Sequence, residues 1–202
     1  MRRPNVLTIA YTGFLSLAGA ALCAPNTAAQ NTAMPREQQI ASAVLALPTE
    51  LRASATVMGY VTDGKLTTLR KGSGTMTCLA TDPKQKEFHV ACYHNSMEPF
   101  MARGRELRAQ GTKEDQVDSV RFREVKSGQL KMPTAPASMY QLFGGKFDAK
   151  TGAITGSQPL YVVYIPFATA ATTGLSDRPV QGAPWIMFAG TPKAHIMFTP
   201  KM

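Results

Sequence analysis

Residues 72–111, GSGTMTCLATDPKQKEFHVACYHNSMEPFMARGRELRAQG, decide the fold of this chain. After a Gly-Ser-Gly turn, the segments Thr75–Ala80 and Phe88–Tyr93 each place alternate apolar side chains on one face, which predicts two short β-strands. The Asp82-Pro83 corner between them indicates that the chain reverses and that the strands pair antiparallel. A helix signal follows directly, so the stretch predicts a strand-turn-strand-helix unit.

The two cysteines of this stretch are predicted to form a disulfide. With a turn centred near Lys84, Cys78 lies opposite Val90, and Cys92 is its diagonal neighbour on the same face. A bulge or small shift then brings the two sulfur atoms into bonding range. The alternative is a reactive Cys92 with His94 as its base, but export, argued below, favours the disulfide.

The segment after His94 predicts a helix. Asn95 or Ser96 can cap it, and the charge of Glu98 suits its first turn. A second, more polar helix is predicted from residue 112 to residue 128, where it ends at a glycine. The first helix carries an apolar stripe at helical spacing, formed by Met97, Phe100, Met101, Gly104 and Leu107.

The N-terminal residues predict export. The basic pair Arg2-Arg3 precedes an apolar run over residues 6–22, which is typical of a secretory signal peptide. Cleavage near Ala29 would leave residues 30–202, a length that suits one domain. Cys23 leaves lipidation open as an alternative to removal with the leader, although the residue before it is a poor match to a lipidation signal.

The rest of the chain completes the predicted fold. A helix broken at Pro48 is predicted near the start, and the apolar run Leu160–Phe167 predicts a central strand buried on both faces. Further strands are predicted over Ala55–Tyr60, Leu66–Arg70, Met139–Phe143, Trp185–Ala189 and His195–Thr199. We therefore predict a single α+β domain over residues 30–202, with a mostly antiparallel sheet, two or three helices on one side, one disulfide and no cofactor.

The charge of the chain does not favour nucleic acid as a partner. The formal net charge is +9, and removal of Arg2 and Arg3 with the leader leaves +7. The basic residues of segment 103–126 are interleaved with acidic ones, which is typical of solvated helix faces. Attraction to anionic envelope surfaces is the more natural use of this charge. No transmembrane span is predicted after the leader.

His94 is the first candidate functional residue. A helix N-terminus disfavours positive charge, so its imidazole is expected to stay neutral and to be available as a base or ligand. Glu98 lies one turn on and can orient it, which gives a hydrolase-like enzyme as one hypothesis. The other interpretation is a histidine that hydrogen-bonds the backbone at a strand-to-helix junction.

The last predicted hairpin holds the second set of candidates. Alternation places Trp185, Met187, His195 and Met197 on one face. Thioether and imidazole groups are suitable copper ligands, so Met187, His195 and Met197 give a periplasmic copper-binding protein as a further hypothesis. The alternative is a methionine-rich core with one hydrogen-bonded histidine.

The leading hypothesis is a non-catalytic exported envelope protein. It would bind a small ligand or an envelope partner in a cleft between the helix start at His94 and the Trp185–Met197 hairpin. Its expected binding residues are His94, Trp185, His195 and Met197. Enzymatic activity and copper binding are the competing hypotheses.

Two segments of the chain resemble a group of uncharacterised exported bacterial proteins. They are Leu69–Leu79, with its Gly-Ser-Gly turn and first cysteine, and Trp185–Pro192, which closes on His195-Ile196-Met197. The resemblance implies export and a shared fold. It implies no activity or substrate.

Overall fold

A twisted eight-stranded sheet is the centre of the structure, a computed structural model that describes residues 33–61 and 64–198. The strand order is β2-β1-β3-β4-β5-β8-β10-β9, and every neighbouring pair is antiparallel except β1 with β3. Strands β6 and β7 form a separate two-stranded sheet. The strands are β1 (Thr56–Tyr60), β2 (Leu66–Arg70), β3 (Met76–Leu79), β4 (His89–His94), β5 (Ala137–Phe143), β6 (Lys146–Asp148), β7 (Ala153–Thr155), β8 (Gln158–Tyr164), β9 (Trp185–Met187) and β10 (His195–Phe198).

Five α-helices and two short 3₁₀ turns accompany the sheet in the described part of the chain. The 3₁₀ turns are Val44–Ala46 and Asn95–Met97. The predicted α+β class, mostly antiparallel sheet and single disulfide are confirmed. The helices are α1 (Arg36–Ala43), α2 (Thr49–Arg52), α3 (Glu98–Ala109), α4 (Glu114–Lys126) and α5 (Ala170–Thr173).

The helices differ from the prediction in their placement, because they cover both faces of the sheet. Helix α1 and the 3₁₀ turn after it pack on Val90 and Cys92, whereas α3 packs over Tyr93 and Met139. Neighbouring residues of a strand point to opposite faces, and β4 is apolar on both, so each face needs cover. We call the two surfaces the α1 face and the α3 face.

The predicted disulfide is confirmed, but the predicted register of its strands is wrong by two residues. Cys78 lies directly opposite Cys92, not opposite Val90, and the two Cα atoms are 4.0 Å apart. The turn is centred at Gln85, one residue later than expected, and a shift of one residue at the turn moves the pairing by two. No bulge is needed to join the sulfur atoms.

Strand β8 is central in the sheet, but the prediction that it is buried on both faces is wrong. Val162 and Tyr164 on the α3 face are buried, whereas Tyr161 on the α1 face is 39% exposed. Helix α1 packs beside β1, β2 and β4, and the 3₁₀ turn after it packs beside β4 and β5. Half of the apolar run therefore lies at an uncovered part of the sheet.

The Gly-Ser-Gly turn packs against the chain just before β1. A Cβ atom on Gly72 would lie 2.1 Å from the Ser54 carbonyl oxygen and 2.4 Å from the Ala55 carbonyl carbon. Neither atom can move without shifting the backbone that leads into β1. The turn therefore requires a glycine for steric reasons.

Gly72→Ala is expected to lower the free energy of unfolding by about 2 kcal/mol, within the usual range for overpacking a tight site. Urea denaturation of purified protein comprising residues 30–202 measures this change. Ser73→Ala is the matched control, because Ser73 is exposed in the same turn, and it should change the free energy of unfolding little. Equal stability of the two variants would contradict the steric account.

None of the helices in the described part of the chain is both long and apolar enough to cross a lipid bilayer. The predicted leader, residues 1–29, lies outside the described residues, as does Cys23. The described residues belong to one compact unit.

Candidate functional site

A cleft of about 370 Å³ lies between helix α3 and the α3 face of the sheet. We call it the α3 cleft. Residues of β3, β4, β5, β8 and β10 line its floor, and residues of the β9–β10 hairpin close one end. Two other hollows, of about 420 and 720 Å³, are lined mainly by apolar and loop residues. The apolar floor and wall of the α3 cleft include Leu79, Met101, Met139, Leu160, Val162 and Met197.

Four cationic side chains also line the α3 cleft. Each of them is paired with a carboxylate that does not line the cleft. The guanidinium of Arg105 lies 2.5 Å from the Glu98 carboxylate, and that of Arg108 lies 2.6 Å from Glu114. The other two cations share one carboxylate. They are Arg121 from α4 and Lys193 from the loop before β10, and both bind Asp118.

Arg121 is the most deeply buried of these cations, at 4% exposure. Its guanidinium carbon lies 3.9 Å from the centre of the Phe100 ring, and its Nη1 donates to the Phe100 carbonyl at 3.1 Å. Gly104 makes this approach possible, because a Cβ atom there would lie 2.8 Å from the same Nη1. The Nε–H of Arg121 has no hydrogen-bond partner among the described residues.

Asp118 links helix α4 to the β9–β10 hairpin. Burial alone would raise the pKa of Asp118, but the hydrogen bonds from Lys193 and Arg121 outweigh it and hold the pKa below its ordinary value. The carboxylate is therefore ionised at neutral pH. Lys193 also lies 4.7 Å from the centre of the Phe188 ring, which fixes the ammonium group at the mouth of the cleft.

The hairpin residues share one face, as the alternation predicts. Met187 pairs with His195, and Trp185 pairs with Met197. Met187, His195 and Met197 line the α3 cleft. Trp185 is buried next to Met197 but does not line the cleft.

His195 is held in one orientation at the end of the cleft. Its Nδ1 lies 2.7 Å from the Lys193 carbonyl oxygen, so this nitrogen carries the hydrogen and Nε2 is left as an acceptor. Its ring packs between Tyr164 and Phe188, with centre distances of 5.1 and 5.7 Å. Burial lowers the pKa of His195, which keeps the ring neutral at pH 7.

The structure does not bring His94 and Glu98 together. The Glu98 carboxylate accepts hydrogen bonds from the Tyr93 hydroxyl and from Arg105. His94 instead caps the 3₁₀ turn, because its Nδ1 accepts from the Ser96 N–H at 3.3 Å. Its ring belongs to the α1 face of β4 and is not among the residues that line the α3 cleft.

The polar groups of the cleft are mostly cationic or neutral. Its polar lining consists of cations, the hydroxyls of Tyr93 and Tyr164, the Gln141 amide and neutral His195. Burial raises the pKa of Tyr164 to about 12, against the opposing effect of the Arg121 charge. No serine, threonine, cysteine or carboxylate is among the residues that line the cleft, and the described residues hold no cluster of three His, Cys, Asp or Glu fit for a metal ion.

Sequence analysis missed the cationic wall of this cleft. The arginines of segment 103–126 are predicted to be solvated, and this prediction is wrong for Arg121. Two signals could have found it. One is Gly104, since a glycine inside a helical stripe usually has a packing reason. The other is Asp118, which stands three residues before Arg121 and can pair with it on one helix face.

The fold and cleft together define an α+β domain with a basic, partly apolar cleft on one face of an eight-stranded sheet. Comparison of the chain with family models, with curated proteins and with solved structures found no match. The resemblance to exported bacterial proteins therefore stays a prediction.

Proposed function

We propose that this chain is an exported, non-catalytic envelope protein that binds a small ligand in the α3 cleft. The observation that carries the proposal is the cleft itself, a preformed hollow of about 370 Å³ between a helix and a sheet. Small-molecule sites are concave, mostly apolar and fitted with a few fixed polar groups. The α3 cleft has all three properties. It also contains His195 and Met197, two of the residues expected from the sequence to bind.

The rigidity of the cleft supports a non-catalytic binding role. Ion pairs between α3 and α4 and from Asp118 to the hairpin hold its polar side chains in place. A preformed site loses little entropy when a ligand enters.

Export is part of the proposal and rests on two features. One is the basic and apolar pattern of the N-terminal residues. The other is the disulfide Cys78–Cys92, because disulfides persist mainly in oxidising compartments such as the periplasm.

The hydrolase hypothesis and the copper-binding hypothesis have less support. A hydrolase built on His94 and Glu98 lacks contact between its base and its orienting group. For copper, Met187, His195 and Met197 do lie close together, but the cations of the same cleft repel a metal cation.

A screen of small compounds by thermal shift tests the proposal. We expect some compounds to raise the melting temperature of the mature, disulfide-bonded protein. The same compounds should change the fluorescence of Trp185, the single tryptophan, because it pairs with Met197 in the cleft wall.

A pair of variants locates the binding. Ala91→Leu adds bulk inside the cleft and should abolish the shift, whereas Ala109→Leu adds the same bulk at an exposed position on α3 and should keep it. Compounds that stabilise Ala91→Leu as well as the wild type would place the site elsewhere. A diverse library without a single stabilising compound would overturn the proposal.

A further inference from the structure

The charges around the α3 cleft are not balanced. Four cations line it, and the carboxylates that pair with them are Glu98, Glu114 and Asp118. Because Asp118 serves both Arg121 and Lys193, one positive charge has no counter-charge of its own. None of these carboxylates lines the cleft, so the cleft presents positive charge to whatever enters.

Arg121 adds an independent observation. It lines the cleft, it is buried, and its Nε–H lacks a partner among the described residues. Buried donors are nearly always satisfied, so this group needs an acceptor. The two Nη groups of Arg121 already bind the Phe100 carbonyl and Asp118, so its Nε–H offers one charge-assisted contact, and an ionised carboxylate oxygen accepts such a contact strongly.

The rest of the lining fits an apolar body. Met139, Val162 and Met197 form the floor beneath the cations, with Leu160 beside them. Methionine side chains are flexible and adapt to ligands of different shapes. The volume of about 370 Å³ lies at the small end of the range for ligand pockets, about 300–1,000 Å³.

We infer that the ligand of the α3 cleft is a small amphipathic carboxylate, with its head group at Arg121 and Lys193 and its apolar body on the β5–β8–β10 floor. This inference rests on the proposed function and names the chemical class of its ligand. The uncompensated positive charge favours a monoanionic ligand, and the unpaired Arg121 donor favours an oxygen acceptor in its head group. The methionine-lined floor favours an alkyl or aryl body.

Isothermal titration with a matched pair of probes tests this inference. Octanoate carries the carboxylate, and octanamide has the same alkyl chain with a neutral head. We expect the mature, disulfide-bonded protein to bind octanoate at least about thirtyfold more tightly, the size of effect that a buried charged contact produces.

Charge-removing variants assign the head-group site. Arg121→Gln and Lys193→Gln should each weaken octanoate binding by about thirtyfold. Arg103→Gln is the matched control, because it removes an arginine of α3 that binds Glu124 and does not line the cleft, and it should leave binding unchanged. If Arg121→Gln does not fold, as circular dichroism would show, Lys193→Gln decides the question alone.

The outcomes separate this inference from the proposed function. Equal binding of octanoate and octanamide, lost in Ala91→Leu, would overturn the carboxylate class and leave a neutral ligand in the cleft. The same holds if neither probe binds but neutral compounds stabilise the protein in the thermal-shift screen. If neither probe binds and the screen finds nothing, both proposals fail.

Discussion

Replacing Cys78 and Cys92 together with alanine is expected to lower the free energy of unfolding by about 3 kcal/mol. The disulfide joins residues 14 apart, and the entropy lost by closing a loop of that size in the unfolded chain gives this value. For a chain of this length the melting temperature should fall by roughly 6–12 °C. Urea denaturation and calorimetry of protein comprising residues 30–202 measure the two quantities.

Reductant supplies the control for this prediction. It should destabilise the wild type by a similar amount and leave the double alanine variant unchanged. Alkylation of unreduced protein comprising residues 30–202 should label neither Cys78 nor Cys92. A wild type that is indifferent to reductant, or a labelled Cys92, would show that the two thiols are free and would revive the nucleophile hypothesis.

Asp118→Ala is expected to cost about 3 kcal/mol of stability. It removes the shared partner of Arg121 and Lys193 and leaves the buried guanidinium of Arg121 without a counter-charge. Breaking a buried ion pair by removing one partner costs about 3–5 kcal/mol, and the low end applies because the Asp118 side chain is 30% exposed. Urea denaturation at neutral pH measures the loss.

Glu114→Ala is the matched control on the same helix. Its pair with Arg108 is exposed, at 73% and 46% for the two side chains, and such pairs contribute about 0–1 kcal/mol. If Glu114→Ala lowered the free energy of unfolding as much as Asp118→Ala does, burial of the ion pair would not explain the effect of Asp118→Ala.

Acid should abolish part of the Asp118 contribution. Because the folded-state pKa of Asp118 is lowered, its ionic contribution is complete above the unfolded pKa of about 3.9 and is lost as the pH falls through the folded value. The difference in stability between the wild type and Asp118→Ala should therefore shrink below about pH 4. A constant difference from neutral to acid pH would contradict this account.

Most strands of the main sheet were predictable from sequence because they have a period of two and an apolar face, whereas β8 was predicted from a continuous apolar run. This is why the shared face of Cys78 and Cys92, and that of Met187, His195 and Met197, follow from alternation. The register of β3 and β4 did not follow, since alternation is unchanged by a shift of two residues. Only the loop geometry around Gln85 sets it.

The candidate site was half predictable. Its floor and hairpin residues carry a periodic apolar signal, but its cations do not. Arg121 is buried because α4 crosses α3 at Gly104, and the packing of two helices is a tertiary contact that charge patterning does not show. Glu98 shows that nearness in sequence does not imply contact. It lies four residues after His94, yet it bonds to Tyr93 and Arg105 on the other side of the sheet.

The strand order has a consequence for how the chain folds. The main sheet adds its strands largely in chain order from β1 to β10, although helices α3 and α4 separate β4 from β5 in the chain. Strands β1 to β5 can assemble first, while the floor of the α3 cleft needs β8 and β10. The α3 cleft is then the last part of the fold to be completed.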